Sequence, residues 1–395
     1  MKKLFLVGAA AIVIIAVVAA LFYFRSSGRS ESLHYEREET ELIISNIPRA
    51  QLTLFQAGKD LQDAVAMSPI DGERTWLSKG NYFLKVDQGE RSLFYPVPLL
   101  GYRSGPDKSG TFNVTIRPLV AEAPHGSLPD LPDYVFIPSG HFLFGDRLNP
   151  QEPHHVWLGS FFINPFEVTN AEFREFSADP HGYGEDTNWT EAGRSWKANN
   201  ASQASALLKP TDGDYERFGQ PDQPVVQVNW FEANAYCRWL TKTFGRGVWT
   251  FGLPTEAEWE KVARGPDNFD YGLGRNISDQ EVKLYNWKKN PGAEITVVSV
   301  IETKSKYVAN RYGVYHMTGN VAEWTQSTYR PFNRQRPYVD DDDRNHDEES
   351  GERVLRGGSW YTASIAVLYI PYRENFRPEV KAPYLGFRVV ARPVP

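Results

Sequence analysis

The stretch Arg356-Gly357-Gly358-Ser359-Trp360 constrains this chain more than any other. Two adjacent glycines let the backbone enter conformations barred to other residues, and they let a second segment approach closely. The flanking arginine and tryptophan are large groups suited to anchoring such a turn. Gly319-Asn320-Val321-Ala322-Glu323-Trp324 and Leu385-Gly386-Phe387-Arg388-Val389-Val390 are built alike, as short apolar segments broken by glycine. Such segments read as irregular β structure with tight bends. With 11 Trp, 20 Tyr, 23 Phe, 31 Gly and 27 Pro in 395 residues, a loop-rich fold pinned by buried rings is expected.

The N-terminus gives the address. Leu4 to Phe24 is uninterrupted and mostly apolar, close to the roughly 20 residues that span a bilayer. Lys2 and Lys3 precede it, Arg25 and Arg29 follow it, and no small-x-small cleavage site stands before the flank. Residues 1–25 therefore read as an uncleaved signal anchor, a single transmembrane helix, rather than a cleaved signal peptide. The bulk of the chain is then periplasmic or extracellular, held in a bacterial inner membrane. The single cysteine, Cys237, cannot form an internal disulfide, and its helical neighbours suit a small buried hydrophobe. A net charge of −6 argues against a nucleic-acid binder, which would show a basic face.

Residues 26–41 are polar and read as a tether. In 42–120 the segments Leu42-Ile43-Ile44, Ala50 to Phe55, Tyr82 to Val86 and Thr111 to Ile116 alternate at period two between turn residues. They predict a small antiparallel β-sandwich, similar to PEGA-type modules of surface proteins and expected to act as a spacer or adhesion module. The Pro-rich stretch 121–133 is a linker. From 134 to 395, Thr169-Asn170-Ala171-Glu172, Asn229-Trp230-Phe231-Glu232 and Thr255-Glu256-Ala257-Glu258 each place a capping residue three positions before a glutamate, marking three helix starts. The acidic run Asp340 to Asp343, continuing in Asp347-Glu348-Glu349, reads as a solvated insertion.

The order of motifs then carries a resemblance. Glu167-Val168-Thr169-Asn170, Pro224 to Trp230, Leu253 to Glu260, Gly319 to Trp324, Arg356 to Trp360 and Gly386-Phe387-Arg388 follow one another as in the sulfatase-modifying-factor family, whose namesake is the formylglycine-generating enzyme. The resemblance implies an α+β, C-type lectin-like, irregular fold over 134–395. In the generating enzymes two cysteine thiolates after the RGGS turn hold copper, but those positions fall here at Thr362 and Val367. Neither supplies the soft ligand Cu(I) prefers, so a copper site is not expected. The iron-dependent sulfoxide synthases of the family use a histidine-rich site. Here the 8 histidines are scattered, and His154 and His155 are adjacent, so iron is not expected either.

The resemblance also implies calcium at Gly319, Val321 and Glu323. A fourth ligand, usually Asn, falls at His316, and a second calcium site would begin at Asn286-Trp287. It further implies a peptide groove near Ser359, Trp360, Thr362, Arg373 and Arg377. Internal ion pairs are the competing role for Arg373, Arg377 and Arg388. No catalytic residue is expected; Ser359 lacks a sequence-evident histidine and acid to activate it. The expected function is a non-catalytic protein- or peptide-binding or scaffold component of the envelope. The alternative is a metal-dependent oxidoreductase with altered active-site chemistry. Glycan binding is a third possibility raised by the abundant aromatic rings.

Overall fold

The computed structural model describes residues 39–45, 51–67, 74–88, 91–100, 111–116, 134–146, 153–200, 207–277, 285–287, 297–331, 338–339, 342–346 and 351–394. The anchor, residues 26–38 of the tether, the linker at 121–133 and Asp340, Asp341, Asp347, Glu348 and Glu349 lie outside them. Among the described residues no helix is long and apolar enough to cross a membrane.

The first layer is the expected sandwich, with one correction in its pairing. Strand β1 (Glu39–Ser45) lies between β4 (Arg74–Ser78), antiparallel, and β7 (Thr111–Thr115), parallel. The second sheet runs β3 (Val65–Ala66), β2 (Gln51–Gln56), β5 (Gly80–Gln88), β6 (Arg91–Leu99). Alternation along β1 turns Leu42 and Ile44 inward against Leu84, Val86, Val97 and Phe112. Strand β6 holds Pro96 and Pro98 because it is an edge strand, where a missing N–H interrupts no ladder. The strand β1 begins at Glu39, so the tether is shorter than its polarity suggested.

In the second part, β8 (Val135–Ile137), β11 (Phe161–Ile163), β17 (Val390–Pro393) and β12 (Trp249–Gly252) form one sheet. A two-stranded ribbon joins β9 (Gly140–Phe144) and β10 (His154–Leu158). A further sheet runs β15 (Glu374–Phe376), β14 (Arg353–Arg356), β13 (Ala322–Thr328), β16 (Leu385–Gly386). The helices are α1 (Asn170–Ala178), α2 (Glu191–Asn199), α3 (Tyr215–Phe218), α4 (Trp230–Phe244), α5 (Glu256–Arg264) and α6 (Val300–Lys306). Thr169, Asn229 and Thr255 each form a complete capping box with the glutamate three residues on, satisfying orphan N–H groups at both positions. Helix α4 buries Trp230, Ala233, Tyr236 and Leu240 against β12, and Cys237 packs among them at 1% exposure.

The sandwich is not a spacer on a string, because it is clamped to this second part. Asn268 Nδ2 donates to Asn81 Oδ1 at 3.1 Å. Arg275 Nη2 donates to the Ala57 carbonyl at 2.9 Å, and Asp60 bridges Gly274. Arg311 reaches the Leu61 carbonyl at 2.9 Å, grips Asp267 through both carboxylate oxygens, and lies 4.6 Å from the Phe83 ring centroid. The His155 ring contacts the Pro98 carbonyl at 2.9 Å, while adjacent His154 packs on Phe144, as alternation along β10 requires.

The acidic run is also more ordered than expected at its described positions. Asp342 is buried and held by Arg344 at 2.6 and 2.7 Å, and Asp343 meets Arg330 at 3.2 Å. Removing one partner of a buried ion pair leaves an uncompensated charge, and Asp267 is 1% exposed. Arg311→Ala should therefore cost about 3 kcal/mol in urea unfolding and should open the sandwich to protease first. A loss too small to measure would show that the clamp holds nothing.

Candidate functional site

The site is built on α5. Thr255 starts it with a capping box, and Pro254 keeps the preceding segment from running into it. Every residue of this helix is buried, including Glu256, Glu258 and Glu260. Buried carboxylates need partners, and each finds an arginine from the C-terminal region. Arg373 grips Glu256 at 2.7 and 2.9 Å, and Arg392 grips Glu258 through both oxygens. Arg356 and Arg264 both reach Glu260, the latter at 2.9 Å. Burial alone would raise the Glu260 carboxyl, but Arg264 and Arg356 outweigh it and hold the group below its ordinary range.

Arg356 in turn fixes the glycine turn. Its Nη1 donates to the carbonyls of Pro371 and Tyr372 at 3.1 Å, and its guanidinium lies 5.3 Å from the Trp259 ring centroid. Gly357 and Gly358 have φ of 92° and 65°, a region that disfavours side chains. A Cβ on Gly358 would stand 3.2 Å from both Thr362 Oγ1 and the Val367 carbonyl. The turn thus packs against the Thr362 hydroxyl and the Val367 main chain. A hydroxyl and an isopropyl group stand there, and neither fits Cu(I).

The structure divides the expected groove residues between interior and surface. Ser359 and Trp360 are 3% and 4% exposed. Ser359 N–H donates to Thr362 Oγ1 at 2.8 Å, and the Trp360 indole donates to the Pro383 carbonyl at 3.2 Å while packing on Phe218. Arg373 is an internal brace through Glu256 rather than a groove residue, since its side chain is 7% exposed. Arg377 is the reverse, an exposed side chain 3.4 Å from Glu379. The surface beside the turn is made by Tyr361, 51% exposed and stacked on Tyr384, with Ile365 and Tyr372 exposed nearby.

The Gly319–Glu323 segment packs against the same turn. Gly319 N–H donates to the Gly357 carbonyl at 2.9 Å, and Gly319 takes φ of 85°, where a Cβ would meet the Asn286 carbonyl at 2.6 Å. Glu323 is fully buried and receives Arg388 at 2.7 Å on each oxygen and the Trp259 indole at 2.9 Å. His316 is committed to Thr303 at 2.7 Å, and burial, with Arg388 adding to it, pushes its imidazole down to about 3.

Sequence reasoning missed Glu167, although it opens the first motif. Its carboxylate accepts from Asn320 Nδ2 at 2.9 Å. Burial pushes it up to about 7 despite Arg388, and the neighbouring Glu323 charge adds to the rise. Two dry carboxylates lie close to one guanidinium there, and both Glu323 oxygens are already taken by Arg388 and the Trp259 indole. Asn286 spends its amide on Asn320 Oδ1 at 3.1 Å.

Comparison with known proteins agrees with this geometry. The sulfatase-modifying factor enzyme 1-like domain matches residues 120–393, and the chain belongs to that family. It is 30% identical over 296 residues to a formylglycine-generating enzyme of Streptomyces coelicolor, covering 64% of this chain and 87% of that protein. It is 29% identical over 289 residues to the inactive C-alpha-formylglycine-generating enzyme 2 of Mus musculus, covering 65% and 85%. It is 32% identical over 279 residues to a hercynine oxygenase of Mycolicibacterium smegmatis, covering 65% of this chain and 60% of that protein.

Glu260→Gln should lower stability by about 3 kcal/mol at neutral pH, since buried Arg356 loses its carboxylate partner and Arg264 keeps only Asp270. The folded carboxyl titrates below the unfolded one, so its contribution is complete above about pH 4.3 and is lost as pH falls toward the folded value. Denaturation midpoints from pH 7 to 3 should therefore fall more steeply for the wild type than for the variant.

Proposed function

We propose that this chain is a non-catalytic member of its family. It is a membrane-anchored extracytoplasmic protein whose formylglycine-generating-enzyme-like domain binds a protein or peptide partner, or acts as a scaffold, in the bacterial envelope. The observation that carries this reading is Thr362 and Val367 flanking Gly358, with the only cysteine buried in α4. A relative whose name states that it is inactive supports it. The apolar run from Leu4 to Phe24 supports the anchor and the inner-membrane address. Tyr361, Tyr384, Ile365 and Tyr372 offer the partner an aromatic surface beside the turn, and Arg377 adds an exposed cation suited to a carboxylate.

The similarity to a hercynine oxygenase favours a second reading, a metal-dependent oxidoreductase with other ligands. Elemental analysis and Cu(I) titration of the full chain separate the two. The wild type should hold no stoichiometric copper or iron, whereas Thr362→Cys with Val367→Cys should gain one Cu(I). Stoichiometric copper or iron in the purified wild type would overturn the non-catalytic reading.

The same proposal gives calcium a structural task at Glu167 and Glu323, where it would neutralise the excess buried charge. Saturating calcium should raise the melting temperature by about 5 °C. Glu167→Gln should abolish most of that rise. Equal rises in both proteins, or none in either, would remove calcium from this site.

A further inference from the structure

The fold sets cations against its buried carboxylates. A cleft of about 840 Å³ between α4, β12, the start of α5 and β17 keeps to this, with Glu258 gripped by Arg392 and Asp342 by Arg344. Glu374, the first residue of β15, does not. The adjacent Arg373 is committed to Glu256 and the Arg330 carbonyl, and Arg377 has Glu379 at 3.4 Å. Glu374 itself has no hydrogen-bond or ion-pair partner among the described residues.

The strand register places its side chain. Glu374 lies opposite Leu355 of β14, so the two share one face of the sheet. Leu355 is fully buried, in the apolar cluster against which Tyr384 packs. The Glu374 carboxyl is therefore partly buried beside apolar groups, and burial holds it above its ordinary range with no cation to offset that. Burial also raises the Tyr372 and Tyr384 phenols, and the Glu374 charge adds to both, so the carboxylate lies near each ring.

These rings belong to the surface beside the glycine turn. Tyr384 is stacked on Tyr361, with centroids 5.5 Å apart and planes 8° from parallel. Tyr361 is 51% exposed, Ile365 41% and Tyr372 39%. Aromatic faces attract cations, and a long basic side chain can lay its alkyl stem on apolar surface while its head stays polar. The charge left unmatched here is negative, and the chain's net −6 favours a cationic partner.

We propose, on the reading that this surface holds a partner, that the partner is a peptide segment presenting an arginine or lysine to Glu374. The basic head meets the carboxylate, and the stem lies on Tyr372 and Tyr384. Tyr361 and Ile365 cover the flanking residues. The carboxylate has already lost part of its hydration in the free protein, so less is lost when the pair forms.

The test is fluorescence polarisation on the solubilised full chain with four labelled pentapeptide pools of randomised flanks, holding Arg, Lys, Gln or Glu at the centre. The Arg and Lys pools should bind about tenfold more tightly than the other two, a difference that shrinks as salt rises. Glu374→Gln should erase that difference while melting no lower than the wild type, since it removes a partly buried charge that has no partner. Tyr361→Ser should weaken all four pools. Equal binding of the four pools, lowered in Tyr361→Ser, would overturn the basic partner and leave the partner-binding reading standing. An Arg preference that survives Glu374→Gln would overturn the assignment to Glu374, and tighter binding of the Glu pool would make Arg377 the recognising group instead. No binding of any pool would overturn the proposal and remove the partner from this surface as well.

Discussion

The structure depends on putting three glutamates into a helix that has no exposed face. Glu256, Glu258 and Glu260 lie within one fully buried segment, and a buried ion is stable only when geometry and hydrogen bonding offset its lost hydration. The chain meets that demand with Arg373, Arg392 and Arg356, drawn from three separate stretches of its C-terminal region. Each pair fixes a different feature. Arg356 sets the glycine turn, Arg373 secures the approach to β15, and Arg392 shapes the wall of the α4–β17 cleft. Long loops can hold a single course here because an ion pair pins each one, where regular structure would otherwise do so.

The pinning extends outward to the sandwich by a continuous set of contacts. Asp60 bridges Gly274, Arg275 N–H donates to the Lys59 carbonyl, and Gly274 pairs with Tyr271. Tyr271 packs on Tyr369, and Ile370 N–H donates to the Asp270 carbonyl at 2.9 Å. Leu368, two residues away, lies 3.1 Å from where a Gly358 Cβ would be. The sandwich thus braces the loop that carries Thr362 and Val367, a role that a flexible spacer could not fill.

What the sequence made legible was local chemistry. Three capping boxes were readable because a capping side chain and a glutamate three residues on signal a helix start without help from the rest of the fold. Leu42 and Ile44, Phe112 and Val114 were readable as inward-facing because period-two alternation survives in a sheet with one wet face. Strand β6 was not, since Pro96 and Pro98 look like breakers until its edge position is known. The parallel pairing of β1 with β7 was hidden because register depends on distant segments. Partners of buried charges were equally hidden: Arg373 and Glu256 are 117 residues apart, so nothing in the sequence separated a groove arginine from an internal brace. Glu167 escaped notice for the same reason, being 153 residues from Asn320.

These distances also explain how the architecture can stand without the thiolates of the generating enzymes. The glycine turn is held from behind by Arg356 on Glu260 and by the Gly319 N–H on the Gly357 carbonyl. Within it, Ser359 N–H meets Thr362 Oγ1. None of these contacts uses a sulfur atom. Thr362 and Val367 offer no soft-metal ligand set, and the supports of the turn do not call for one. A hydroxyl at Thr362 even adds a support, since it closes the turn by accepting from Ser359. Chemistry and scaffold are separable at this site because they rest on different atoms, and a surface for binding can persist where the ligands for oxidation do not.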